Sequence, residues 1–271
     1  MVEREFTEAA RARCRHYRRR ILDISQKVAA LHIAPAFSTV EIVDAVYHAL
    51  MKRDAAGRPT DTFIMSKGHG YMSQAMILEE LGILTEADLE AYCTPTGRLG
   101  AHPDLGVPGI AASTGSLGHG LGIAVGMAVA DRIQGIDRNT FVVIGDGEAQ
   151  EGSVWEAIMM APNLHLSNLV VFLDFNDYQG LGRTSETHPH FDPIAEKVRS
   201  FGWEAVDIDG HDWEKIVASV RGRKGEAPFF VVCRTVKGQG VSFMQHDPIW
   251  HYRSPNKDEY VKAIAEIESA P

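Results

Sequence analysis

The chain has 271 residues, 45% of them hydrophobic and 23% charged, and 27 Lys and Arg against 36 Asp and Glu give a formal net charge of −9. This balance excludes a disordered or collagen-like chain, and the acidity argues against a general nucleic-acid or anionic-membrane binder. Three cysteines far apart, Cys14, Cys93 and Cys233, form no CxxC pair and exclude a disulfide scaffold or a cysteine-only zinc site, which fits a reducing cytoplasm. No apolar run reaches the ~18 residues that span a bilayer, and the charged N-terminus has no apolar core behind it to make a signal peptide.

Ile21, Ile24, Val28 and Leu31 recur at helical spacing and predict a helix over 6–31. Its arginines, Arg11, Arg13, Arg15, Arg18, Arg19 and Arg20, read as a solvated or interface face rather than an RNA contact, given the acidic whole. Ser38-Thr-Val-Glu41 has capping-box spacing and predicts a helix to about Met51. A polar turn over 54–61 follows, then a helix from His69 to Leu81, then a short one capped by Thr85-Glu-Ala-Asp88. Residues 94–117, rich in Gly, Pro and Thr, predict a long loop of the kind that carries function. In the next helix, 118–133, Gly120, Gly122 and Gly126 are costly unless the helix packs closely on something.

Phe141–Ile144 and Leu169–Leu173 are uniformly apolar strands, as expected where helices cover both faces of a parallel sheet. A helix over 153–160 lies between them. Strands at 205–208 and 229–233 flank a helix starting at Asp212, and a tail helix spans 257–269. The β-α-β-α-β alternation predicts a single α/β domain over 1–271, doubly wound, with a mostly parallel sheet and helices on both faces.

Ligands of such folds bind beyond the carboxyl ends of the strands. Gly145-Asp146-Gly147 falls there, and Asn176 follows after 28 intervening residues. The glycines let backbone approach a phosphate. The carboxylate and the amide oxygen are hard ligands for Mg2+, with Ca2+ or Mn2+ as alternatives, and the N–H groups of the following helix start suit a diphosphate. A lone GDG is equally a tight strand-to-helix turn. The ordered set of strand, GDG, helix, apolar strand and Asn is far more specific.

At this point the chain resembles the thiamin-diphosphate enzymes, and most of all the transketolase family. Gly145-Asp-Gly-Glu-Ala-Gln-Glu-Gly152 with Trp155-Glu-Ala157 is similar to the family's diphosphate and metal segment, and Asp174-Phe-Asn176 with Tyr178 to its second metal segment. Ser66-Lys-Gly-His-Gly70 resembles SKGH, Ala101-His-Pro-Asp104 resembles GHP, and Thr114-Gly-Ser-Leu-Gly118 resembles the TG-x-LG segment. Thr235-Val-Lys-Gly-Gln-Gly240 is similar to the family's last strand and loop. The resemblance covers nearly the whole chain.

It implies thiamin diphosphate with a divalent ion held by Asp146, Asn176 and the main-chain carbonyl of Tyr178. It places His69, Gly115, Ser116, Leu117, Gly145, Asp146, Gly147, Glu148 and Asn176 at the cofactor. It gives catalytic roles to His32, His69, His102 and His251, where charge develops on oxygen and hydroxyl protons move, work suited to histidine. Two of these depart from the family pattern: the glycines around His32 are lost, and Tyr252 replaces the glycine after Trp250-His251. His119 stands where the family usually carries Gln, either as a substitute neutral donor or as the mark of a different substrate. Glu151 and Glu156 match interface glutamates, although a carboxylate at a helix N-terminus is also favoured by the dipole.

Complete transketolases are more than twice as long and carry a second domain that binds the aminopyrimidine ring and activates the cofactor. The expectation is therefore the N-terminal subunit of a split transketolase, cytoplasmic and inactive alone. It would self-associate and bind a separate C-terminal subunit carrying the pyrimidine-binding domain. Together they would transfer a two-carbon ketol unit from a ketose donor, often phosphorylated, to an aldose acceptor. The alternatives are a subunit of another thiamin-diphosphate enzyme, of the 2-oxoacid dehydrogenase α type or an acyl-transferring one, and a non-catalytic cofactor-binding scaffold. A plain NAD-binding fold is set aside because no GxGxxG follows an early strand.

Overall fold

Five parallel strands, β1 (Thr62–Met65), β2 (Thr140–Gly145), β3 (Leu169–Phe175), β4 (Glu204–Asp209) and β5 (Phe229–Arg234), make one sheet in the order β1-β2-β3-β5-β4. The computed structural model describes residues 2–28, 31–180 and 182–269. Side chains alternate across the sheet, so each strand feeds two cores. Phe141, Val143, Val170, Phe172, Phe229 and Val231 face one layer. That layer is built from α1 (Val2–Ser25), α3 (Val40–Ala45), α4 (Tyr71–Glu80) and α10 (Trp213–Arg221). Val142, Ile144, Val171, Leu173, Phe230 and Val232 face the other, with α6 (Gly120–Gln134), α7 (Gly152–Asn163) and α9 (Ile194–Ser200). The fold is thus the expected α/β sheet covered on both faces.

The shorter helices are α2 (Ile33–Phe37), α5 (Glu86–Glu90) and α8 (Thr184–Thr187), and α11 (Lys257–Ser269) closes the described chain. Thr85 and Asp88 form the predicted reciprocal cap of α5, and Asp212 caps α10 by accepting from the Lys215 N–H.

Several expectations are corrected. The first helix ends at Ser25, not near residue 31; Leu31 is buried but outside it, and Ala29 and Ala30 of the predicted span lie outside the described residues. Its arginines are not uniformly a solvated or interface face. Arg18 is buried against Glu41, Arg13 pairs with the fully buried Asp44, and Arg20 pairs with Glu79. Ser38 does not cap a helix: its hydroxyl donates to the Asp174 carboxylate at 2.7 Å, and Glu41 takes the Arg18 guanidinium instead of a backbone N–H. A long-range partner has outcompeted the local one. The helix from His69 begins as a 3-10 turn, Gly68–Gly70, before α4. The four-residue β1 lies where the sequence predicts only a connection, because a strand that short has no periodicity of its own.

Candidate active site

The carboxyl ends of four strands deliver the polar residues to one place. β1 runs into Ser66-Lys67 and the turn carrying His69; β2 ends at Gly145, just before Asp146; β3 ends at Phe175, just before Asn176; β5 leads to Thr235 and Lys237. At their centre is Asp174, fully buried on β3. Its carboxylate accepts from the Lys67 ammonium, the Thr235 hydroxyl, the Ser38 hydroxyl and the Asn176 amide (2.8 Å). Burial alone would favour its neutral form, but Lys67 and these donors hold its carboxyl below the usual range. Lys67 is 1% exposed and also donates to the Pro35 carbonyl at 3.1 Å.

Asp146, just past the end of the neighbouring strand, accepts from no such cation. Its oxygens accept from the Gly147 N–H and from the Thr184 hydroxyl, each at 3.0 Å. Burial, with the nearby Asp174 charge, pushes its carboxyl up to about 7. Asn176 gives its amide hydrogens to Asp174, and its amide oxygen accepts the Tyr178 N–H at 3.0 Å, which brings the Tyr178 backbone beside it. A carboxylate, an amide oxygen and a carbonyl are hard donors, and a cation among them would relieve the unpaired charge on Asp146. Three buried polar atoms here lack a partner: His32 Nδ1, Gln150 Nε2 and the Tyr178 hydroxyl. The donor set and these orphaned atoms fit a charged, metal-bound ligand.

All four predicted histidines line the same cavity, of about 450 Å³. The His32 ring centroid lies 5.9, 5.8 and 5.8 Å from those of His69, His102 and His251, and His69 and His251 are 5.2 Å apart. Burial and the neighbouring ammonium groups keep His32 neutral down to about 4 and His251 to about 3, and His69 well below its ordinary value. Behind His251, the buried Lys237 ammonium donates to Nδ1 at 2.7 Å. That bond places the His251 proton on Nε2. Burial, reinforced by Lys67, lowers Lys237 to about 8. Tyr252, 60% exposed, packs its ring against His251 (4.4 Å) and His32 (5.5 Å).

The loop over 114–119 closes the other wall. Gly115 and Leu117 line the cavity; Ser116 is exposed and does not. Gly115 has φ +135°, and a Cβ there would stand 2.9 Å from the His102 ring, so both conformation and space require glycine. Glu148 lines the cavity, but its carboxylate is engaged by the Ser66 hydroxyl and by the N–H groups of Gly118 and Gly145; its evident role is to brace three segments. Glu151 stands at the rim at the start of α7, and Glu156 is exposed one turn along it. His119 does not line the cavity; its Nδ1–H faces the Ser116 and Leu117 carbonyls of its own loop.

Lys67, Asp174 and Lys237 stand inside the sequence motifs, but sequence alone gives them no role. Their signal is an ionisable residue in or beside an apolar strand, which calls for a buried partner. Nothing in the sequence signals that Glu41 and His211 pair.

The model of the domain described as "Transketolase, thiamine diphosphate binding domain" matches residues 10–267. The chain belongs to the transketolase family. It is 34% identical to an apulose-4-phosphate transketolase subunit of Phocaeicola vulgatus, covering 92% of this chain and 90% of that one. It is 35% identical to the 6-deoxy-6-sulfo-D-fructose transketolase subunit SqwG of a Clostridium species, covering 89% and 90%. Human transketolase is 32% identical over 88% of this chain but only 38% of its own length. The solved transketolase of Leishmania mexicana superposes with a TM-score of 0.88 at 26% identity, covering 96% of this chain and 41% of that one. The chain therefore spans about two fifths of that transketolase structure and nearly the whole of the two subunits. Among the described residues no helix is long and apolar enough to cross a membrane.

Proposed function

We propose that this transketolase-family chain is the diphosphate-binding subunit of a two-polypeptide, cytoplasmic enzyme. It transfers a two-carbon ketol unit from a ketose, often phosphorylated, to an aldose. The observation that carries this reading is the juxtaposition of four histidines, three of them held neutral, with the hard-oxygen set of Asp146, Asn176 and Tyr178. Asp146, Asn176 and the Tyr178 carbonyl would hold Mg2+; Gly145, Gly147 and the loop over 114–119 would admit the diphosphate by close backbone approach. Thiamin diphosphate, when bound, supplies the electron sink for cleaving and forming the carbon–carbon bond.

The chain's own residues act on the substrate. His251, with its proton fixed on Nε2 by Lys237, donates to a substrate oxygen as charge develops there. His32 and His69 offer further uncharged ring nitrogens to sugar hydroxyls, and His102 adds its ring beside them. A neutral imidazole can both give and accept a proton near neutral pH. The residues that activate the far end of the cofactor lie on a complementary subunit. This matches the subunit names of the two relatives of whose length this chain covers 90%.

The test is calorimetric titration of thiamin diphosphate with Mg2+ into the chain assembled with that subunit. Asp146→Ala should abolish measurable binding, and Asn176→Ala should weaken it less, because only the carboxylate also balances the ion's charge. Unchanged affinity in the Asp146 variant would sink the assignment.

A further inference from the structure

A second polar group lies behind the site, on the side of the sheet covered by α1. His211 follows β4, and its Nε2 accepts the backbone N–H of Val236 at 2.8 Å. An acceptor nitrogen carries no proton, so Nδ1 bears it and donates to Glu41 Oε2 at 3.0 Å. Glu41 is in turn gripped by the two terminal nitrogens of buried Arg18, at 2.6 and 2.7 Å, and Arg18 also donates to the Phe37 carbonyl. A carboxylate paired with a guanidinium stays charged, and Arg18 and His211 hold Glu41 down to about 2 against the effect of burial.

What this group holds is the segment leaving β5. The Thr235 hydroxyl donates to Asp174, and Lys237 donates to His251. Val236 lies between them, and among the described residues its N–H reaches no main-chain carbonyl, only the imidazole. Gly210 makes the contact possible. Its N–H donates to the Arg234 carbonyl at 2.8 Å, and a Cβ there would come within 2.5 Å of Thr235 Cγ2, so only glycine lets β4 deliver the next residue this close.

We propose that Glu41 and His211 are positioning residues: a carboxylate–imidazole pair that locks the Val236 backbone and thereby aims Lys237 at His251 from outside the cavity. Neither lines the cavity described above. For a pair behind a reacting group the expected loss on disruption is about 10-fold in turnover. The catalytic consequence rests on the proposed ketol transfer; the lock on Val236 does not.

The chain alone tests the lock. Nitrogen-15 spectra of the wild type should show His211 protonated at Nδ1 and free at Nε2; the opposite tautomer overturns the proposal. Amide hydrogen exchange should show Val236 losing about 10-fold or more of its protection in His211→Leu while Val231 in β5 is unchanged. His211→Gln can donate to Glu41 and accept from Val236, and should keep protection within about 3-fold. Equal loss in both variants, or loss throughout β5, overturns it. In the assembled enzyme, His211→Leu should lower kcat about 10-fold with the donor KM within about 2-fold, and His211→Gln should restore it. A fall confined to KM counts against the positioning role. Intact exchange results with no ketol transfer from any variant, wild type included, would instead remove the function and leave the lock standing.

Discussion

Asp146 carries its charge against two opposing influences, burial and the Asp174 carboxylate, and in the free chain the Thr184 hydroxyl, the Lys67 ammonium and the Gly147 N–H offset them only in part. Its proton is held more tightly folded, to about 7, than in an unfolded chain, where the value is about 3.9. A group of this sign subtracts nothing below pH ~4, and stability drains away as pH rises towards 7. Asp146→Asn should therefore melt higher than wild type without cofactor, by a margin that grows from pH 5 to pH 8; adding Mg2+ and thiamin diphosphate should stabilise only the wild type. Thermal melts across that range check it, and a margin independent of pH would show that the carboxylate is not strained. The cavity histidines should behave differently. His69→Ala and His102→Ala should each cut turnover at least 10-fold with melting temperature nearly unchanged, because these rings face the cavity and support little core. Full activity in either variant with every accepted substrate would remove its role. These residues were legible because each sits in a short motif whose chemistry is local. Asp174 was not: apart from Asn176 two residues on, its donors Ser38, Lys67 and Thr235 are reached only through the fold, and nothing near it in the chain names them.

The glycines of α6 divide into two kinds. A Cβ on Gly120 would lie 2.3 Å from the Ser66 hydroxyl and 2.8 Å from its Cα, so this glycine seats the helix on the end of β1. Gly122 and Gly126 would meet nothing within 4 Å. Gly126→Ala should thus stabilise the chain by ~0.5–1 kcal/mol, as expected for a helix interior, while Gly120→Ala should destabilise it by ~1–3 kcal/mol through overpacking. Urea denaturation distinguishes them, and equal effects would refute the division. The close packing expected of all three glycines is therefore found within the chain for one. At this scale the long apolar strands and the α5 cap were readable, because their signals are periodic or lie within four residues. The Ser38 capping box misleads for the opposite reason: the fold turns the Ser38 hydroxyl to the distant Asp174 carboxylate, and the helix that follows starts after Thr39 with no side-chain cap.

The two packed helices α6 and α7 carry exposed apolar side chains: on α6 Ile123, between Gly122 and Gly126, is 38% exposed, and on α7, which also carries Glu156, Met159 and Met160 are 46% and 50% exposed. Small and apolar groups so arranged suit a second copy of the chain. Light scattering of the purified chain should show a dimer, and Gly126→Leu should shift it towards monomer. A coupled assay should find ketol transfer only after the complementary subunit is added; robust activity from the chain by itself would overturn the two-polypeptide reading. The Asp174 hub also sets an order in time. Three of its four donors come from positions 136 and 107 residues earlier and 61 residues later. Contacts of such span close late, after the local helices have formed. On a ribosome, Thr235 must emerge before the last of these bonds can be made. Any shorter nascent chain would present Asp174 without its full set of donors, so competence to take up the cofactor should arrive in one late step, after Thr235 has left the exit tunnel.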